Sequence, residues 1–221
     1  MKYSNIFAAE FVSRPNRFIA NVMFGTNTVV HVKNTGRCKE LLVPGTEVYI
    51  QKADNEKRKT EYDLIAVKKG NRIFNIDSSA PNTVAYDFLL DKFDRLTREV
   101  RYKNSRFDLL GEKDGQKTFI EVKGVTLEKN NIALFPDAPT ERGTKHLYEL
   151  IDAKNNGYGA CLLLIVQFEG AKAFKPNGIT DPKFEKAIKL AKEAGVDIAA
   201  YGCRVTADTI ETDGEKICLD L

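Results

Sequence analysis

The dipeptide Asp114-Gly115 constrains this chain more than any other short stretch. It lies between SRFDLL and KTFIEVK, two runs that read as strands. An Asp-Gly pair in that setting is the strongest short signal for a two-residue hairpin turn. Such a turn fixes the register: Lys113 faces Gln116 and, counting outward, Asp108 faces Glu121. Facing residues share one side of the ribbon, with Cβ atoms about 4.5–5.5 Å apart. Lys123, two residues further along, shares that side. The other side is expected to carry Phe107, Leu109, Ile120 and Val122 as a core surface. The five residues EKDGQ also admit longer loops, which would shift the register.

Two carboxylates facing each other repel, and a divalent cation is the natural offset. Mg²⁺ (or Mn²⁺) takes one or two carboxylates plus phosphate oxygens and water. An ion held by Asp108 and Glu121 could activate water against a phosphodiester, with Lys123 stabilising the developing charge. The competing reading is a surface charge ladder, in which Arg106 faces Lys123 and diagonal salt bridges form.

The rest of the chain falls into two parts. The whole holds 34 Lys and Arg against 31 Asp and Glu, a net of +3. Residues 1–80 hold 13 against 8, a net of +5, and the remainder 21 against 23, a net of −2. A basic front suits a polyanionic partner. RFIANVMF, TVVHVK, TEVYIQK, EYDLIAVKK and RIFNID are five short runs separated by turn signals, as in a small barrel or sandwich, the OB barrel being one candidate. SSAPNT (78–83) punctuates the chain. Beyond it, residues 83–94 read as an amphipathic helix, VRYK, SRFDLL and KTFIEVK as strands, and DAPTERGTKHLYELIDAKNNG as a helix. ACLLLIVQF reads as a buried strand, DPKFEKAIKLAKEAG as a helix and VDIAAYGCRV as a final strand. Asp181 can cap the third helix and Pro182 suits its first turn, with Phe184, Ala187, Ile188 and Ala191 as its apolar stripe. That order implies a mixed sheet flanked by helices. The expected division is 1–80 and 81–221.

Neither a signal peptide nor an apolar run long enough for a membrane span is legible. The four cysteines, Cys38, Cys161, Cys203 and Cys218, form no CxxC pair. They read as reduced thiols of a cytoplasmic protein.

Further candidates surround the hairpin. Glu99 is placed at the start of the preceding strand, where by itself it reads as a solvated strand end. Glu141 and Lys145 are four apart on a helix and can pair. Lys145 and His146 are candidate catalytic residues on that helix, and Arg142 shares a side with His146. In the front part, Lys57, Arg58 and Lys59 form the densest basic cluster, in a loop between barrel strands. Arg17, Lys33 and Arg37 extend a phosphate-binding path. Phe18 and Tyr62 are either stacking rings or core. His31 is read as structural.

The segments SRFD, IEVKGVTL and FPDAPTERGTKHLYEL resemble the sugar fermentation stimulation protein A family. So do Arg17, Phe18, Ala20 and Val22, then His31, Asn34, Thr35 and Gly36, and then Asn55, Arg58 and Lys59. The match covers nearly the whole chain, and the acid followed by Glu-x-Lys looks like the PD-(D/E)xK nuclease superfamily. The resemblance implies an N-terminal OB-type barrel, a C-terminal restriction-endonuclease-like domain, and binding of DNA with little sequence preference. It places the nuclease-like motif on Asp108, Glu121 and Lys123, and implies a further metal-binding acid from an upstream element, for which Glu99 is the nearest candidate. Phe107 stands where the superfamily usually has Pro. Two functions stay open: a metal-dependent nuclease, and a non-catalytic DNA-binding protein linked to sugar metabolism. Oligomeric state and the form of DNA are not legible.

Overall fold

A computed structural model describes every residue except Thr35, Glu56 and Lys57. Five strands close a barrel: β1 (Ile6–Asn16), β2 (Ile19–Phe24), β3 (Thr26–Val32), β4 (Glu47–Lys52) and β5 (Tyr62–Lys69). The order is β3-β2-β1-β4-β5, and a parallel β3–β5 pairing closes the ring through His31–Asp63 and Val32–Leu64. The expected count of five holds, but the membership differs. β1 was not legible, because IFAAEFVSRPN mixes apolar pairs with Arg and Pro; its inward residues are Ala9 and Phe11. RIFNID contributes β6 (Arg72–Asn75), which adds to β5 outside the ring.

The chain then enters α1 (Ala80–Leu89), earlier than the expected start at residue 83. Pro81 sits in its first turn, where the missing N–H costs nothing. So SSAPNT holds both the break and the helix start. The mixed sheet follows with β7 (Arg95–Tyr102), β8 (Ser105–Lys113) and β9 (Gln116–Val125). β10 (Leu127–Lys129) and β11 (Ile132–Phe135) lead to α2 (Glu141–Asn155). Then come β12 (Gly159–Val166), β13 (Ala173–Pro176), α3 (Pro182–Glu193), β14 (Asp197–Val205), β15 (Ile210–Lys216) and β16 (Cys218–Leu219). The six-stranded order is β15-β14-β12-β9-β8-β7, with β9, β12 and β14 parallel and the flanking pairs antiparallel. A small second sheet, β10-β11-β13-β16, was not anticipated, and β14 is not the last strand. α3 begins as expected: Asp181 Oδ1 accepts from Phe184 N at 3.0 Å, and Phe184, Ala187, Ile188 and Ala191 are buried.

The two faces of the mixed sheet carry separate apolar clusters. α1 covers one with Leu109, Ile120, Val122 and Leu163, while α2 and α3 cover the other with Phe107, Phe119, Leu162 and Leu164. The second cluster runs without a break into the barrel interior (Phe11, Val22, Val48, Leu64). Phe74 of β6 stacks on Phe168 with centroids 4.6 Å apart, and Asn75 N donates to Gln167 O. Barrel and sheet therefore pack as one body. Among the described residues no helix is long and apolar enough to cross a membrane.

Candidate functional site

The β8–β9 hairpin forms as its turn chemistry demands. Asp114 (φ 49°) and Gly115 (φ 77°) both take positive φ, and Lys113 pairs with Gln116. The ladder runs inward to Leu109–Ile120 and then stops. At the next position Asp108 does not sit passively opposite Glu121. Its Oδ2 accepts from Val122 N at 2.8 Å and its Oδ1 from Asn82 Nδ2 of α1 at 2.9 Å. The carboxylate of β8 is thus held from β9 on one side and from α1 on the other.

The neighbouring ribbon turns over at the same level. β7 and β8 pair at Arg98–Leu109 and Val100–Phe107, and the skipped positions are Glu99 and Asp108. Glu99 has φ 59°, a left-handed conformation uncommon outside glycine. Leu109 consequently faces the α1 cluster while Phe107 faces the α2 cluster. The expected single face of Phe107, Leu109, Ile120 and Val122 is thus split, because local alternation cannot foresee a backbone that changes hand.

Glu121 is 2 % exposed and points towards α2. Its Oε1 accepts from both Lys123 Nζ and His146 Nδ1. His146, itself 4 % exposed, accepts at Nε2 from Arg142 Nε at 3.5 Å. That bond leaves the ring proton on Nδ1, directed at Glu121. Glu121 Oε2 is buried and has no hydrogen-bond partner among the described residues. Burial pushes the Glu121 carboxyl up, but the His146 bond and the Lys123 ammonium outweigh it, and the net pKa lies below the ordinary value. Asp108 goes the other way: burial first, and then the Glu121 charge, raise its pKa above the ordinary value. The surface-ladder reading fails on this burial.

These groups line a cleft of about 600 Å³ whose walls come from both parts of the chain. Asp108, Glu121, Lys123, Asn82 and Arg142 lie on the sheet side, and Arg17, Asn34 and Gly36 on the barrel side. The barrel loop is held in place by two groups. Arg14 Nη1 donates to Gly36 O and Arg37 O, and its Nη2 donates to Arg17 O and Asn34 O. Asp137 Oδ2 accepts from Arg37 N at 2.7 Å, and a Cβ on Gly36 would lie 2.5 Å from that same oxygen. Only glycine lets the loop close onto Asp137.

The other candidates scatter. Glu99 lies mid-strand rather than at a strand start, is exposed, and pairs with Arg106 at 2.6 Å. It does not line the cleft, so it is not brought to the metal candidates. Arg106 faces Arg101, not Lys123. Lys145 pairs with Glu149 (3.6 Å) instead of Glu141 and does not line the cleft; His146 does not line it either, and is tied to it through Glu121 and Arg142. Lys33 is committed to the fully buried Asp77 at 2.7 Å. Arg58 grips Asp63 through two bonds, and His31 Nδ1 meets the same carboxylate at 2.9 Å. Arg58 is therefore a structural cation, and His31 is structural as expected. Lys59 is exposed beside a separate hollow with Arg58. Arg37 is exposed, and Arg17 lies 4.9 Å over the exposed ring of Phe18. Tyr62 packs with Phe7 and Phe24. Lys57 and Thr35 lie outside the described residues.

Arg14, Asn82 and Asp137 were missed as site residues: Asn82 and Asp137 stand within SSAPNT and FPDAPTERGTKHLYEL, but their partners Asp108 and Arg37 lie 26 and 100 residues away, and Arg14 reaches Gly36 across 22. A closed OB barrel packed against a restriction-endonuclease-like mixed sheet, with two carboxylates and a lysine at their junction, defines the class. Residues 12–76 match the model of the SfsA N-terminal OB domain, and residues 78–209 match the sugar fermentation stimulation protein RE domain. The chain belongs to the sugar fermentation stimulation protein family. A homologue from Ruminiclostridium cellulolyticum is 52% identical over 219 residues, covering 96% of this chain and 97% of its own. One from Clostridium beijerinckii is 51% identical, covering 95% and 96%. The solved structure of Pyrococcus furiosus SfsA in complex with Ca²⁺ is similar with a TM-score of 0.89 at 29% identity, covering 100% of this chain and 98% of that one.

Proposed function

We propose that this protein binds DNA in the junction cleft and hydrolyses a phosphodiester there with Mg²⁺ or Mn²⁺. The observation that carries the reading is Glu121 Oε2, a buried carboxylate oxygen with no partner among the described residues, in the same cleft as a second carboxylate. Buried polar atoms almost always find a partner, and an orphan of this kind asks for one. The donors are hard oxygens, which suits Mg²⁺, Mn²⁺ or Ca²⁺ rather than a thiophilic metal. The Ca²⁺ complex of the Pyrococcus furiosus relative supports the same ligand class.

Glu121 Oε2 and Asp108 would hold the ion. Bound there, a divalent cation would neutralise the two carboxylates and make a coordinated water a better nucleophile. His146 keeps Glu121 Oε1 engaged and so leaves Oε2 as the oxygen for the ion. Val122 N and Asn82 orient Asp108. Lys123 supplies the positive charge for the oxygens of the reacting phosphate. Arg17 offers a backbone-phosphate contact from the barrel wall.

A second reading, DNA binding without turnover, draws on the Lys123 ammonium already seated on Glu121 Oε1. Two assays separate them. Plasmid, single-stranded and branched DNA are incubated with Mg²⁺ or Mn²⁺, using wild type and Asp108→Ala; cleavage by wild type alone is expected. Thermal unfolding is followed with Mn²⁺ or Ca²⁺. At a hundredfold excess over Kd the ion stabilises by about 2.7 kcal/mol, roughly 5–11 °C for a chain of this size. Glu121→Gln removes that shift. Binding of DNA with no cleavage of any substrate and no metal-dependent shift would leave only the second reading.

A further inference from the structure

The cations best placed for a polyanion are not those of the barrel loop. Residues 95–106 carry Arg95, Arg98, Arg101, Lys103 and Arg106 against a single acid, Glu99, and all five cations are exposed. They lie on β7 and the start of β8, at the open edge of the mixed sheet. Arg101 and Arg106 are direct cross-strand partners. Like charges at facing positions destabilise a ribbon. Glu99 offsets the pair only from the Arg106 side. An arrangement that costs stability in the free protein fits one that is relieved by a bound anion.

Immediately beside this ribbon end lies a second groove, of about 630 Å³, lined by Asn104, Ser105, Arg106, Glu141, Arg142, Lys145 and His146. Arg142 lines both this groove and the junction cleft. The two hollows are thus neighbours, with Arg142 common to both. The lining has three cations and one carboxylate.

We propose that this groove, with Arg101, Arg106 and Lys145 at its rim, is a second phosphate-binding surface that continues the track beyond the carboxylates. A nucleic-acid strand is then held on both sides of Asp108 and Glu121: by Arg17 of the barrel on one side, and by the β7–β8 ribbon and α2 on the other. The inference rests on the nucleic-acid reading of the cleft but not on turnover. It also gives Lys145 a role, as a backbone contact instead of a catalytic group.

The test is fluorescence anisotropy with a labelled oligonucleotide, single-stranded and duplex, in EDTA, so that neither metal binding nor hydrolysis contributes. Salt titrations are run on wild type, Arg101→Gln/Arg106→Gln, Lys145→Gln and, as a control on the far helix, Lys189→Gln. Each lost phosphate contact lowers the slope of log K against log salt by about 0.7–0.9. The double variant is expected to lose roughly 1.4–1.8 in slope and Lys145→Gln about half that, with Lys189→Gln unchanged. Circular dichroism checks that each variant stays folded; all the positions are exposed. Wild-type binding with the same slope in every variant overturns the second surface and leaves the cleft standing. No salt-dependent binding by wild type overturns both.

Discussion

Arg14→Met tests whether one guanidinium organises the barrel wall of the cleft. Arg14 makes four hydrogen bonds to main-chain oxygens, at 2.9 Å (Gly36), 2.7 Å (Arg37), 2.8 Å (Arg17) and 2.7 Å (Asn34). Methionine keeps most of the apolar stem and removes all five donors. The bonds to Arg17 O and Arg37 O are exposed, so water replaces them at little cost. The bonds to Gly36 O and Asn34 O are partly buried. Hydrogen bonds involving a charged group contribute about 1.5–3 kcal/mol each, so two give about 3–6 kcal/mol. The lower end applies, because both carbonyls border the cleft and water can reach them in part. A loss of about 3 kcal/mol lowers Tm by roughly 6–12 °C for a chain of this length. Urea unfolding followed by circular dichroism should show a lower midpoint with an unchanged m value, since the surface exposed is the same. Arg14→Lys should recover only part, because an ammonium cannot fan to four acceptors in one plane. A variant within about 0.5 kcal/mol of wild type would mean that water already serves these carbonyls, and the organising role would be withdrawn.

Two further outcomes follow from the same packing. Gly124→Ala places a Cβ 2.3 Å from Gln167 Oε1 and 2.6 Å from Pro81 Cγ. The Gln167 amide is tied to Asn75 Oδ1 and Asp77 O and cannot swing aside, so overpacking should cost about 1–3 kcal/mol in urea unfolding; an unchanged midpoint would contradict the rigidity of that wall. Asp63 is buried, which raises its pKa, but the bonds from Arg58 and His31 outweigh that and hold it below the ordinary value. Its stabilisation is therefore present above the unfolded pKa near 4 and fades as the pH falls through the folded value. Asp63→Asn should be less stable than wild type at pH 7 and converge with it in acid, read from urea midpoints at about pH 7, 5 and 3; a constant gap would reject the linkage.

What could be read without coordinates is whatever short-range chemistry fixes by itself. Asp114-Gly115 set the turn, and the turn set the register as far as Leu109–Ile120. Asp181 capped α3 and its stripe found the core, because both act within one or two turns of helix. The continuous apolar run of β12 implied burial on both faces.

The tertiary structure decided which charges remain available. Arg58 and Lys33 look like phosphate ligands in sequence, but Asp63, five residues on, occupies the first and Asp77, 44 residues away, the second. Glu121 reads as a ribbon carboxylate, yet α2 arrives 25 residues later to bury it and to take one of its two oxygens. Glu99 reads as a third acid, yet a left-handed φ turns the ribbon over and leaves it on the surface with Arg106. Residue type and spacing determine local conformation because the forces involved act over a few residues. The ownership of a charge is settled by burial and by whichever opposite charge packing delivers, and both belong to the folded chain alone.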